Sequence, residues 1–109
     1  HSSLMRAAAD EFSAALDNVD LQMPAVPVIQ NVGGAVATDV DELRKLLVQQ
    51  LYSPVQWTAC VASMLNDGVS QFVECGPGNV LAGLIKRISR ATPTQSIASE
   101  DDLRSLAEL

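Results

Sequence analysis

The chain contains one histidine, His1, and two serines follow it directly in the stretch HSSLM. A histidine beside hydroxyl groups combines a base with a nucleophile, because imidazole exchanges protons near neutral pH. A helical apolar pattern begins at Leu4, however, and serine is a preferred residue at the start of a helix. The pattern therefore favours Ser2 or Ser3 as a helix cap, and it leaves open whether His1 is a catalytic base or a remnant of cloning.

The sequence contains no complete motif for a serine nucleophile. Such a nucleophile on an α/β sheet usually occupies a G-x-S-x-G turn between a strand and a helix. The nearest stretch, GVSQF at 68–72, lacks the second glycine and precedes a predicted strand, so Ser70 is not favoured. The stretch GPGN at 76–79 could bind an anion through free backbone amides. We favour the simpler explanation, that the two glycines are there because a tight turn between a strand and a helix needs them for steric reasons.

The two cysteines, Cys60 and Cys75, are far apart in the chain and form no CxxC pair. With one histidine they cannot complete a zinc site. We expect both to be reduced and packed as small hydrophobic residues, and we expect no bound metal or cofactor.

Composition narrows the class of protein. The 109 residues are enough for one compact domain; 48% are hydrophobic and 18% charged, which is typical of a packed protein. The net charge of −6 argues against nucleic acid as a partner, because phosphate contacts need clustered lysine and arginine. The apolar runs are far shorter than the ~20 residues of a membrane span, and no signal peptide is recognisable. We therefore expect a cytoplasmic protein with no membrane partner.

Periodicity predicts an α/β fold with a parallel sheet, since strands separated by helices pair in parallel. Capping patterns support three helix starts: Asp39 with Glu42, Ser53-Pro54 with Gln56, and Ser99 with Asp102. Two strands alone would leave sheet edges open, which suggests a piece of something larger. The predicted helices are at about 4–17, 39–50, 54–67, 79–90 and 100–108, and the predicted strands at about 26–31 and 71–75.

Four stretches, in this order and spacing, resemble one known family: HSSLM, VPVIQNV, QQLYSPVQWT and VECGPGNVLAGLIKRI. They are similar to the C-terminal portion of the malonyl-CoA:acyl carrier protein transacylases, the discrete bacterial type of fatty acid biosynthesis. The resemblance covers essentially the whole chain. It implies an α/β-hydrolase-like acyltransferase core, here as an incomplete C-terminal part.

The resemblance implies a two-step transfer of malonyl from coenzyme A to the phosphopantetheine thiol of acyl carrier protein, through an ester on a serine. His1 aligns with the histidine that acts as general base and then as general acid. The family orients this histidine with a backbone carbonyl, which here belongs to Gln50. Carbonyls near a helix end lack intrahelical partners, so this one would be free to accept the imidazole proton.

The family's serine turn, its malonyl-binding arginine and its oxyanion-hole amides lie upstream of the matched portion, and none of them is in this sequence. We therefore expect residues 1–109 to be the C-terminal part of the large acyltransferase subdomain, without the nucleophile-bearing part or the small ferredoxin-like subdomain. We expect this chain alone to be inactive and the complete protein to be a monomer.

Three cations are candidates for docking acyl carrier protein, which is strongly acidic. They are Lys86, Arg87 and Arg90, with the first and last predicted four residues apart on one helix face. A simpler explanation is that they complement the dipole at the end of that helix.

Two other functions stay open. One is an acyltransferase of a polyketide synthase system, with the same base and a different carrier protein. The other is a non-catalytic α/β interaction module in which His1 is the remnant of a tag.

Overall fold

The computed structural model describes residues 2–107 of the chain. These residues fall into two compact units, divided between Met64 and Leu65. The first unit contains α1 (Arg6–Leu16), α2 (Val40–Gln49) and most of α3 (Trp57–Asn66). The second contains β1 (Phe72–Cys75), α4 (Val80–Ile88), β2 (Thr94–Ile97) and α5 (Glu100–Ala107). No helix in the described range is both long and apolar enough to cross a bilayer.

In the first unit, α1 packs against α2. Leu16 of α1 and Leu43 of α2 are both buried. The guanidinium of Arg44 donates to the carbonyl oxygens of Leu16 and Val19, so it ties α2 to the end of α1. Leu4, where the predicted helix begins, lies instead in a 3-10 turn before α1 and is 91% exposed.

The predicted strand at 26–31 is wrong. The segment makes a single antiparallel bridge, Ile29 to Val36, closed by two glycines with positive φ, Gly33 and Gly34. Pro27 lacks the N–H group that a longer ladder would need. The chain therefore turns back on itself and packs against α3 instead of joining a sheet.

Contacts between this turn and α3 are close. The hydroxyl of Ser63 donates to the carbonyl oxygen of Gly34 (2.6 Å), and the thiol of Cys60 donates to that of Gln30 (3.4 Å). Cys60 and Val61 are almost fully buried at this contact. The α3 helix thus packs its buried residues against this turn.

The start of α3 differs from the prediction. Residues 54–56 are not helical, and the helix begins at Trp57, three residues later than the Ser53-Pro54 pattern indicated. The amide of Gln56 donates to the carbonyl oxygen of Asn31 (2.9 Å), so the connection to the 29–36 turn satisfies it. A helix starting at Pro54, with Ser53 as its cap, would use the amide of Gln56 at its own start and lose this bond to Asn31.

The second unit contains a parallel sheet, as the fold class predicted. Its strands are β1 and β2, which pair in parallel from Phe72 with Thr94 to Cys75 with Ile97. The α4 helix connects them. Sequence patterning did not predict β2, because its residues TQSI are half-buried and mostly polar, without an apolar alternation.

Candidate active site

The Gln50 carbonyl lies just beyond the end of α2. The amide of Gln50 donates to the carbonyl oxygen of Leu46 (3.0 Å) and closes the last helical turn. The next two amides, of Leu51 and Tyr52, donate to the carbonyl oxygens of Val48 and Gln49 (both 3.2 Å). Within residues 2–107 no hydrogen bond ends on the carbonyl oxygen of Gln50. It is therefore an available acceptor, as the sequence led us to expect.

The side chain of Gln50 has a separate role. Its Oε1 accepts a hydrogen bond from Nδ2 of Asn31 (3.1 Å). Asn31 belongs to the turn that packs on α3, and its own carbonyl oxygen accepts from the amide of Gln56. Asn31 thus contacts the 50–52 turn through the side chain of Gln50 and the segment after it through the amide of Gln56, and it holds the residue that carries the free carbonyl.

The beginning of α1 lies against the same turn. The amide of Ser2 donates to the carbonyl oxygen of Leu51 (3.2 Å). The guanidinium carbon of Arg6 lies 4.1 Å from the ring centroid of Tyr52, within the range of a cation–π interaction. His1 itself lies outside the described residues. The structure therefore brings the residue after His1 to the residue after Gln50.

Ser2 is a helix cap, as predicted. Its Oγ accepts a hydrogen bond from the amide of Leu4 (3.1 Å), at the start of a 3-10 turn over Ser3–Met5 that leads into α1. This Oγ satisfies a backbone amide at the start of the helix. That role agrees with the expectation that the serine beside His1 is a cap and not a nucleophile.

A solvent-accessible concavity of about 430 Å³ adjoins Gln50. Polar side chains form part of its lining, among them Gln22, Gln30 and Asn31, and Leu43 and Leu47 of α2 form an apolar part. The end of α2 is therefore reachable from solvent in the first unit.

In the GPGN turn, Gly76 and Gly78 have positive φ, and the amide of Gly76 donates to the carbonyl oxygen of Ile97 (2.9 Å). The carboxylate of Glu74, on β1, accepts from the amides of Leu81 (3.1 Å) and Ala82 (2.9 Å) in the first turn of α4. The hydroxyl of Ser96, on β2, donates to the same carboxylate (3.3 Å). The positive end of α4 already holds an anion from the protein, so the tight-turn explanation is the better one.

The three candidate docking cations lie at the end of α4. Lys86 and Arg87 are in its last turn and are exposed. The predicted extension to residue 90 is wrong: α4 ends at Ile88, and Ser89 adopts an extended conformation, so Arg90 is not on the helix face. All three nevertheless line one shallow concavity of about 280 Å³.

The cysteines differ from each other. Cys60 is buried, and this burial raises the pKa of its thiol. Cys75 is exposed, so the expectation that it packs as a small hydrophobic residue is wrong. Its position in β1 explains this, because successive strand residues point to opposite faces. The residues that the structure describes contain no cluster suited to a metal ion.

Sequence reasoning missed three residues around the 50–52 turn: Arg6, Asn31 and Tyr52. Their partners are distant in the chain, and no local pattern marks such contacts. The polar QN pair at 30–31, between two apolar stretches, was the one available signal.

No protein-family model matches the chain. It is 37% identical over 103 residues to the malonyl CoA-acyl carrier protein transacylase of Bacillus subtilis, covering 94% of this chain and 32% of that protein. The crystal structure of the corresponding enzyme of Xanthomonas oryzae matches at 40% identity with a TM-score of 0.93, over 99% of this chain and 34% of the other.

A third match is a malonyl-transacylase solved in complex with its type II polyketide acyl carrier protein. It is 37% identical with a TM-score of 0.91, over 99% of this chain and 35% of that one. The chain spans about a third of the length of each of these three relatives.

Proposed function

We propose that this chain, which is homologous over nearly its whole length to about a third of a malonyl CoA-acyl carrier protein transacylase, forms part of an enzyme that transfers malonyl from coenzyme A to acyl carrier protein in fatty acid biosynthesis. In this proposal residues 1–109 are the C-terminal part of the large acyltransferase subdomain. The reaction needs no resident cofactor.

The proposed mechanism uses a serine–histidine pair. Nε2 of His1 takes the proton of a serine hydroxyl as that oxygen attacks the thioester carbonyl of malonyl-CoA. The tetrahedral intermediate collapses to the serine ester, and the coenzyme A sulfur leaves with the proton from His1. His1 then takes the proton of the carrier protein's thiol, and the sulfur attacks the ester. The serine oxygen leaves and regains a proton from His1.

Gln50 orients the base in this proposal. Its carbonyl oxygen accepts the Nδ1 proton of His1, which places the lone pair of Nε2 toward the serine. A neutral carbonyl fixes the tautomer without the ion pair that a carboxylate would form with the imidazolium. The serine must come from protein outside this sequence, since no G-x-S-x-G turn occurs within it. The 109-residue chain alone should therefore be inactive.

One observation carries the proposal: the amide of Ser2 donates to the carbonyl oxygen of Leu51. Ser2 is bonded to His1 and Leu51 to Gln50, and neighbouring Cα atoms are about 3.8 Å apart. The hydrogen bond therefore supports a close approach of the base and the carbonyl that orients it.

The test is a pair of substitutions in the full-length protein that carries this sequence. His1→Ala should lower kcat/KM for malonyl transfer by about 10²–10⁴-fold, the usual contribution of a general acid–base. Gln50→Ala keeps the backbone carbonyl and loses only the bond from Asn31, so its loss should be less than about tenfold. Similar mild losses from both would contradict the pair and favour the non-catalytic interaction module.

A second candidate function is malonyl transfer to a polyketide carrier protein. The observation in its favour is the similarity to the malonyl-transacylase solved with a type II polyketide acyl carrier protein. The two candidates separate on carrier preference. The full-length protein should load a fatty-acid carrier protein with the higher kcat/KM, and the reverse order would favour the polyketide system.

A further inference from the structure

We infer that Arg6 and Tyr52 are positioning residues for the transfer reaction: their stacking holds the start of α1, which follows the proposed base in the chain, on the 50–52 turn, which begins at Gln50. The inference rests on the proposed function, since it concerns the geometry of that base. Neither residue is assigned a contact with the reacting atoms.

Two tethers join the same two segments. The first is the hydrogen bond from the Ser2 amide to the Leu51 carbonyl (3.2 Å). The second is the Arg6 guanidinium over the Tyr52 ring, at 4.1 Å from the guanidinium carbon to the centroid. A single hydrogen bond leaves the start of the helix free to rotate about it. A second contact one turn further along removes that freedom.

The Tyr52 ring is a fixed platform for this contact. The amide of Tyr52 donates to the Gln49 carbonyl oxygen, which keeps the turn closed on the end of α2, and the residue is half-buried. Arg6, by contrast, is exposed and its long side chain has freedom to lose. The stacking therefore restricts the Arg6 side chain by holding it against the ring of Tyr52.

Proton transfer makes this geometry matter. A general base must be within about 2.6–3.2 Å of the proton's heavy atom, and a misplacement of about 1 Å can cost up to 10²-fold in rate. Loosening the start of α1 should thus reduce turnover, while malonyl-CoA binding, which does not depend on the base, should be unchanged.

An exposed arginine near an active site could instead bind a phosphate of coenzyme A. This alternative predicts a different kinetic result. Removing the charge at Arg6 would then raise KM for malonyl-CoA, and removing the Tyr52 ring would leave kinetics unchanged. Kinetic constants of the two variants decide between positioning and substrate binding.

The experiment measures kcat and KM for malonyl transfer in the full-length protein with Arg6→Met, Tyr52→Leu and the double variant. Each single variant should lower kcat about tenfold, with KM for malonyl-CoA unchanged. The double variant should be no worse than either single one, because both remove one contact. Arg6→Lys and Tyr52→Phe keep a cation and a ring, so they should retain near-normal kcat.

Lys45→Met is the matched control, since it removes an exposed cation from α2 and should leave kcat unchanged. Arg6→Met is the decisive variant because Arg6 is exposed, so the protein should fold even where Tyr52→Leu does not. Unchanged kcat in Arg6→Met, a raised KM alone, or losses that multiply in the double variant would overturn the inference. His1→Ala separates the two proposals: if it keeps activity the proposed function fails, whereas loss there with normal kcat in Arg6→Met refutes only the positioning role.

Discussion

Gly34 shows how a single residue sets the packing beside the candidate site. It has φ of +62°, and a Cβ added there would lie 2.8 Å from the Cβ of Ala59 and 3.0 Å from its carbonyl carbon. Its neighbour Gly33 has φ of +83° but open space around it. A substitution at Gly33 therefore measures only the free-energy cost of a positive φ. A substitution at Gly34 measures that cost together with the cost of a steric clash with Ala59.

We predict that Gly34→Ala destabilises the full-length protein more than Gly33→Ala does. Gly33→Ala should cost about 1–2 kcal/mol, the conformational penalty for a non-glycine residue. Gly34→Ala should add about 1–3 kcal/mol because α3 must shift to admit the methyl group. Urea denaturation of both variants provides the comparison. Equal losses would mean that the turn does not pack on α3 as described.

The candidate site could be predicted from the sequence only in part. Composition shows only that His1 is the single histidine, and its role as base came from the resemblance to a known family. Gln50 is an ordinary polar residue at a helix end. Its proposed role came from the resemblance to a known family and is still a prediction. The hydrogen bond from Asn31 to the side chain of Gln50 was not predictable, because it depends on how a loop folds back on the end of α2.

At the scale of elements, two of the three predicted helix caps formed, and the third, at Ser53, did not. Oδ1 of Asp39 accepts from the amide of Glu42 (2.8 Å), and Oγ of Ser99 accepts from that of Asp102 (3.1 Å), as their spacing predicted. These bonds are local, so neighbouring residues determine them. The strand at 26–31 was wrong and β2 was missed, because strand pairing depends on which distant segment is available.

The cap of α2 gives a pH-dependent prediction. The hydroxyl and the amide of Thr38 donate to the carboxylate of Glu42 and lower its pKa. A carboxyl whose pKa is lowered by folding stabilises the protein above its unfolded value of about 4.3, and the contribution is lost as pH falls through the lowered value. Glu42→Gln should therefore be less stable than the wild type at neutral pH, and the difference should shrink below about pH 4.

Denaturation midpoints at pH 7 and pH 3 measure this difference. Asp41→Asn is the control, because it removes a neighbouring exposed charge in the same first turn of α2. Its midpoint should differ less from the wild type at pH 7 than that of Glu42→Gln does. A gap for Glu42→Gln that widens toward pH 3 would contradict the assignment of this carboxylate.

At the scale of the whole molecule, charge distribution bears on the proposed partner, acyl carrier protein. The chain has a net charge of −6, yet Lys86, Arg87 and Arg90 line one concavity in the second unit. Attraction between such a cluster and an acidic partner would speed encounter despite the net charge. Reversing all three charges in the full-length protein should raise KM for acyl carrier protein by about tenfold or more at low salt.

Arg104→Glu is the control for this prediction, because it reverses an exposed charge of the same unit whose partner is Glu100. Loading of malonyl from coenzyme A should be normal in both variants, as a burst measurement would show. If the triple variant keeps the wild-type KM and the wild-type dependence on salt, these cations are not a docking surface and complement only the helix dipole.

The bond network of Glu74 has a consequence for phosphate-bearing substrates. The carboxylate is tethered a few residues from the amides of α4 that it binds, so it competes with free anions at an effective concentration of millimolar order or higher. The carboxylate of Glu74 therefore competes with any free anion for the amides at the start of α4. A phosphate of coenzyme A, from the proposed substrate, would have to displace the carboxylate from these two amides and leave it with the hydroxyl of Ser96 alone, so this helix end should select against such phosphates.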